Sequence, residues 1–149
     1  MPSHLCERSI AKETGAKIKE FKVLDLSKLA WALASLAVGD SELFRALAQR
    51  VLERRREFAP QGLSNVLWAF ATLGIKEPEL FAAAAGSASA SLGEFRPQEL
   101  ANLAWAYAMA EVDDPGLMNL LAREAVVKMS QFKPLEVAGL LWAAGSLAD

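Results

Sequence analysis

One cysteine, one histidine and one tyrosine are all that this chain of 149 residues holds of those three types. Cys6 alone makes no internal disulfide and no thiolate cluster for zinc. His4 alone, close to the terminus, builds neither a histidine-based triad nor a metal site. No Walker-type run is present, and no glycine-rich loop follows a strand pattern. Catalysis, a cofactor and a bound metal are therefore not expected. Asp113 and Asp114 pair two acids, but beside Pro115 they read as a turn and helix start, where carboxylates suit free N–H groups. The longest apolar runs, such as residues 80–86, are too short and too rich in alanine to span a bilayer, so no membrane role is expected. No apolar signal segment follows Met1. The opening stretch mixes Arg8, Lys12, Lys17 and Lys19 with Glu7, Glu13 and Glu20, a poor organellar transit peptide. If the protein is imported, its targeting segment is expected outside this chain.

What the chain does have is a composition of 53% hydrophobic and 23% charged residues, that of one folded domain. Much of the apolar share is alanine, and large aromatic volume comes from seven Phe, four Trp and the one Tyr. Helices packed closely through small residues use that mixture; a sheet would need more branched and aromatic side chains.

The dominant signal is a repeat. Phe21, Phe58, Phe95 and Phe132 open four similar blocks at intervals of 37, and ten residues after each stands Trp31, Trp68, Trp105 or Trp142. Pro60, Pro97 and Pro134 follow the last three phenylalanines by two places; Val23 takes that place in the first block. A period of this size predicts an all-α fold, a right-handed solenoid of helix-turn-helix units. The blocks are 21–57, 58–94, 95–131 and a partial 132–149. Residues 1–20 form a remnant of a preceding repeat or a cap, with Cys6, Ile10, Ala11 and Ile18 at its apolar positions. The fourth block stops without a partner helix. The sequence thus reads as truncated from a longer solenoid, or as relying on another subunit at that end, because a stack needs capped ends.

Each block predicts two helices. The first runs over roughly 24–37, 61–73, 98–111 and 135–147, and Gly39, Gly74 and Asp113–Pro115 interrupt the pattern. The second begins near Ser41, Pro78 and Pro115, with Leu43, Leu80 and Leu117, then Leu47, Ala84 and Leu121, on one apolar face. On the first helix, Leu26, Leu29, Leu33 and Leu36 gather on one side, as do Leu63, Val66, Phe70 and Leu73. Trp68 falls nearly opposite, beside Ser64 and Ala71. The expected place of the four tryptophans is the core between repeats; the alternative is an exposed platform on which bases stack.

A narrow polar edge remains on the first helices. It carries Lys28, then Gln61 and Asn65, then Gln98 and Asn102. Amides offer both a donor and an acceptor, as reading a base edge requires, but the same side chains could bond a neighbouring loop instead. Charge is uneven. Residues 1–57 hold eleven basic and eight acidic side chains, and residues 58–149 hold five and ten. Arg50, Arg54 and Arg55 are candidate phosphate contacts within the basic end; a solvated helix terminus is the alternative.

The runs "LSNVLWAFATLG" and "LANLAWAYAMAE" resemble the octotricopeptide repeats of algal proteins and the heptatricopeptide repeats of FAST-kinase-like and RAP-domain proteins. The likeness covers residues 21–149, and the period is nearest the heptatricopeptide type. It implies a solenoid in a mitochondrion or plastid whose first helices bind single-stranded or ribosomal RNA. The implied roles are transcript processing, stability, translation or ribosome assembly. No DNA contact is implied. Carried onto this chain, the surface comprises Lys28, Gln61, Asn65, Gln98 and Asn102. Gly139 departs from the asparagine position, and Leu24 and Leu135 from the glutamine position. No RAP domain follows. The competing expectation is a non-catalytic protein scaffold or structural subunit of a large organellar assembly, with partners at the uncapped C-terminal end.

Overall fold

Proline at the first helical position costs no hydrogen bond, because the first-turn nitrogens have no partner inside a helix. Three of the first helices start that way. The computed structural model describes the backbone of residues 2–148 and the side chains of residues 6–147. The first helices are α2 (Val23–Ser35), α4 (Pro60–Thr72), α6 (Pro97–Met109) and α8 (Pro134–Ala148). The second helices are α3 (Ser41–Glu53), α5 (Pro78–Ala90) and α7 (Pro115–Val127), preceded by α1 (Pro2–Lys17). Their starts advance by 37 within each series, and no strand occurs among the described residues. The fold is all-helical, a helical repeat solenoid. No helix of the described residues is long and apolar enough to cross a membrane.

Hydrogen bonding explains the helix ends. Asp40 and Asp114 accept from the backbone N–H groups of Leu43 and Leu117, capping α3 and α7. Asp25, Glu99 and Glu136 reach back to the N–H of Lys22, Arg96 and Lys133, covering the starts of α2, α6 and α8. The first helices of the three full repeats end in one motif. Val38, Ile75 and Val112 donate to Leu33, Phe70 and Tyr107, with Ala37, Gly74 and Glu111 held at φ of 55°, 68° and 58°. The stop therefore comes at Ala37, two residues before the glycine, Gly39, that the sequence suggested. Leu36 caps α2 and is exposed, so it leaves the leucine stripe.

After each second helix a short 3-10 turn brings the chain to the block's phenylalanine. These turns span 18–20, 55–57, 92–94 and 129–131, and each phenylalanine N–H donates three residues back. Residues 2–20 hold the same helix and turn in the same phase, and α1 packs on α3 as α3 packs on α5. They form the second half of a repeat. Ala11 and Ile18 are buried as expected, whereas Cys6 and Ile10 are exposed because no first helix covers that side among the described residues.

The helices sort into two layers, with α2, α4, α6 and α8 side by side in one and α1, α3, α5 and α7 in the other. The core lies between them. Leu43, Leu47, Leu80, Ala84, Leu117 and Leu121 are buried from the second helices; Leu26, Leu63, Val66, Phe70, Leu100 and Tyr107 are buried from the first. Successive repeats are joined by aromatic edges. Phe44 meets Phe70 at 5.0 Å between ring centres, and 37 residues on Phe81 meets Tyr107 at 5.1 Å, both T-shaped. The Tyr107 hydroxyl donates to the Phe81 carbonyl, and burial holds its pKa above the ordinary phenol value. These pairs are the fully buried aromatic contacts between repeats.

Candidate nucleic-acid interface

The first helices approach one another closely near their N-termini. A methyl group on Gly62 of α4 would sit 2.8 Å from the Ser27 hydroxyl of α2, and in the next pair Ser64 points its hydroxyl at the Glu99 carbonyl. Ser27 and Ser64 are buried there. Small residues at this contact bring the outward edges of α2, α4 and α6 together as one surface.

That surface repeats a spacing of four, three and four. The positions are Leu24, Lys28, Trp31 and Ser35; Gln61, Asn65, Trp68 and Thr72; and Gln98, Asn102, Trp105 and Met109. At about 100° per residue the four positions fall within an arc of roughly 60°, so each tryptophan shares the polar edge. Trp31 is 52% exposed and Trp142 48%. Trp68 and Trp105 are half-buried, with ring centres 6.5 Å apart and planes tilted by 31°. Trp31 and Trp142 thus depart from the expected inter-repeat core, whereas Trp68 and Trp105 pack partly against it. Lying opposite the leucine stripe is the outward direction, because the neighbouring repeat's second helix packs on the leucine side.

Lys28, Trp31, Gln61, Asn65, Trp68, Gln98 and Asn102 line one groove of about 500 Å³. The structure thus brings together the five residues that the resemblance assigned to the surface. Gln61 and Gln98 are exposed, and Asn65 and Asn102 half-buried. Among the described residues none of these four amides is engaged in a hydrogen bond within the chain, so each keeps its donors and acceptor for a ligand. The alternative, an amide tied to a neighbouring loop, is not what the geometry contains.

The arginines sit elsewhere. They lie at and beyond the C-terminal end of α3, outside the groove. Arg50 bonds Glu53 at 3.0 Å and the Lys19 carbonyl at 3.0 Å. Arg54 holds Glu57 in a fork at 2.8 and 2.9 Å and donates to the Phe21 carbonyl at 3.2 Å; Arg55 donates to the Leu52 carbonyl. Hydrogen bonds from Arg50 and Arg54 push the Glu53 and Glu57 carboxyls below their ordinary pKa. Lys128 repeats the Arg54 contact two blocks on, donating to the carbonyls of Gly93 and Phe95. Arg50, Arg54 and Lys128 clamp one repeat's turn to the next repeat's second helix, while Arg55 bonds within its own repeat, structural uses that the sequence expectation of phosphate contact did not include.

A basic row at the N-caps of the first helices had no part in that expectation as a row. Lys22, Arg96 and Lys133 are exposed at the N-caps of α2, α6 and α8, each two residues before the Leu24, Gln98 or Leu135 position. Their shared phase was the available signal; Ala59 breaks it in the second repeat.

A protein-family model, RNA-editing substrate-binding complex 6 protein, matches residues 5–134, from α1 to the first residue of α8 and across the whole groove. That is most of the chain, and the chain belongs to this family. It is an RNA-associated helical repeat protein; octotricopeptide or heptatricopeptide parentage remains a likeness of sequence. No curated protein matches the chain.

Proposed function

We propose that this member of the RNA-editing substrate-binding complex 6 family binds single-stranded RNA along its first-helix layer, as a non-catalytic module of an RNA-editing assembly. The mitochondrion is its proposed compartment, and handling of transcripts during processing its proposed role. The observation that carries this reading is the set of four uncommitted amides, Gln61, Asn65, Gln98 and Asn102, gathered with Lys28 in one groove. Amides that a fold does not use are suited to base edges, which present the complementary donors and acceptors. Lys28 is the only cation among the groove's lining residues, so bases and not phosphates carry recognition there, while Lys22, Arg96 and Lys133, exposed at the first-helix N-caps, are the proposed contacts for the backbone.

The test is titration against matched and scrambled single-stranded RNA over a range of salt. Asn65→Ala with Asn102→Ala relaxes sequence preference and leaves the salt slope nearly intact. Charge reversal at Arg96 and Lys133 weakens binding to every sequence and flattens the slope. No binding by the wild-type chain at low salt would refute the reading.

A second reading, protein contact, is favoured by an apolar hollow of about 430 Å³ between α7 and α8, lined by Met118, Leu121, Val126, Met129, Leu140 and Leu141. Val126, Leu141 and Met129 are exposed there. This surface lies away from the amide groove, so a protein partner and RNA do not compete for one site.

A further inference from the structure

Aromatic rings in a solenoid of this size are needed where repeats join, and Phe44–Phe70 and Phe81–Tyr107 already fill that role. The tryptophans are additional. They stand one per repeat on an outward edge, Trp31 and Trp142 about half exposed and Trp68 and Trp105 partly packed against the core with one side left to the groove's edge. Trp68 and Trp105 each follow an asparagine by three residues, so ring and amide are neighbours on one helix face. The central pair has a specific geometry. The Trp68 and Trp105 ring centres are 6.5 Å apart and their planes are tilted by 31°, a close pairing of two indoles from neighbouring first helices.

From this geometry we infer that Trp68 and Trp105 form a paired base-stacking platform, with Asn65 and Asn102 beside it to meet the polar edge of a stacked base. Trp31 and Trp142 extend the column as outer platforms. The inference rests on the RNA reading and deepens it by naming how the bases are held. A groove with one lysine gains little from phosphate, and stacking on indoles supplies the affinity without sequence preference. Discrimination is left to the amides. Reading and holding are thus divided between two sets of side chains on the same edge.

The experiment uses the full chain and a short mixed-sequence RNA, together with the same RNA carrying abasic riboses throughout. Trp31→Phe with Trp142→Phe leaves Trp68 and Trp105 as the only indoles, so their emission reports on the central pair alone. Base-bearing RNA quenches that emission and abasic RNA does not. Trp68→Leu and Trp105→Leu each weaken binding of base-bearing RNA by roughly tenfold or more, leave the weak binding of abasic RNA unchanged, and are rescued by Trp68→Phe and Trp105→Phe. Circular dichroism confirms that each variant folds; the emission measurement on the Trp31→Phe, Trp142→Phe chain stands if a leucine variant does not. Undiminished affinity in the leucine variants, or unquenched emission under saturating RNA, overturns the stacking platform while the RNA reading survives. Failure of the wild-type chain to bind any RNA at low salt removes both.

Discussion

Replacing Gly62 by alanine tests the contact that sets the first-helix layer. An added methyl lies 2.8 Å from the Ser27 hydroxyl, inside any normal contact distance, and 3.7 Å from the Ser27 Cβ, which is ordinary packing. Ser27 is buried, and its hydroxyl donates to the Val23 carbonyl at 3.0 Å, so it has little freedom to turn away. Overpacking of this kind costs about 1–3 kcal/mol, against a gain of about 0.5–1 kcal/mol from replacing glycine within a helix. Gly62→Ala alone should therefore destabilise the chain by about 1 kcal/mol. In a Ser27→Ala background the obstructing oxygen is gone and only the ordinary Cβ contact remains. There the same substitution should stabilise by about 0.5–1 kcal/mol. The coupling energy is then about 1.5–2 kcal/mol, well above the scatter expected for independent sites. Urea denaturation of the wild type, both single variants and the double variant measures it. Additive effects, or a stabilising Gly62→Ala in the wild-type background, would refute the close approach of α2 and α4 and with it the continuity of the groove.

The remaining predictions concern the turns, the core and acid. Ala37 and Glu111 occupy the left-handed position that Gly74 fills in the second repeat. Ala37→Gly and Glu111→Gly should each stabilise by about 0.5–1 kcal/mol in thermal melts, and Gly74→Ala should destabilise by about as much, since a side chain there costs about 1–2 kcal/mol less the entropy that glycine adds to the unfolded chain. Phe70→Ala should cost about 3–5 kcal/mol in urea denaturation, because Phe70 is fully buried against Phe44. Trp31→Ala, with half its surface in water, should cost about 1 kcal/mol. Equal costs would restore tryptophan to the core. Glu57 is held below its ordinary pKa of 4.5 by Arg54, so the stability it contributes is present above pH 4.5 and is lost as the pH falls through the lowered folded value. Glu57→Gln should flatten the fall in melting temperature over that acid range; an unchanged slope would show that the Arg54 fork adds no pH-dependent stability.

Much of the architecture was legible because repetition makes a sequence its own alignment. Phe21, Phe58, Phe95 and Phe132 share a phase, so one reading of turn, proline and helix applied to every block, and helix starts fell within a residue of Val23, Pro60, Pro97 and Pro134. The second-helix face of Leu43, Leu80 and Leu117 followed from apolar period alone. The groove's members were legible by phase as well, since Gln61 with Gln98 and Asn65 with Asn102 share block positions. The helix stop at Ala37 was less so: the left-handed turn is imposed by the bond from Val38 to Leu33 and tolerates alanine, while glycine marks it only at Gly74.

Periodicity states which residues share a side of a helix, and here it determined the pairing of helices, the repeat boundaries and the polar edge. It does not state what stands on each side. The tryptophans were placed opposite the leucines by the sequence itself, yet whether that side faced a neighbour or water depended on where the adjacent repeat's second helix lay. The tertiary structure put Phe44 and Phe81 against the leucine side and left the indoles outward. The arginines show the same division. Their charge and spacing were visible in the chain, but their partners, the carbonyls of Lys19 and Phe21, lie more than thirty residues away and meet them only when one repeat stacks on the next. Local pattern fixes direction around an axis; long-range packing decides whether that direction is core, clamp or open groove.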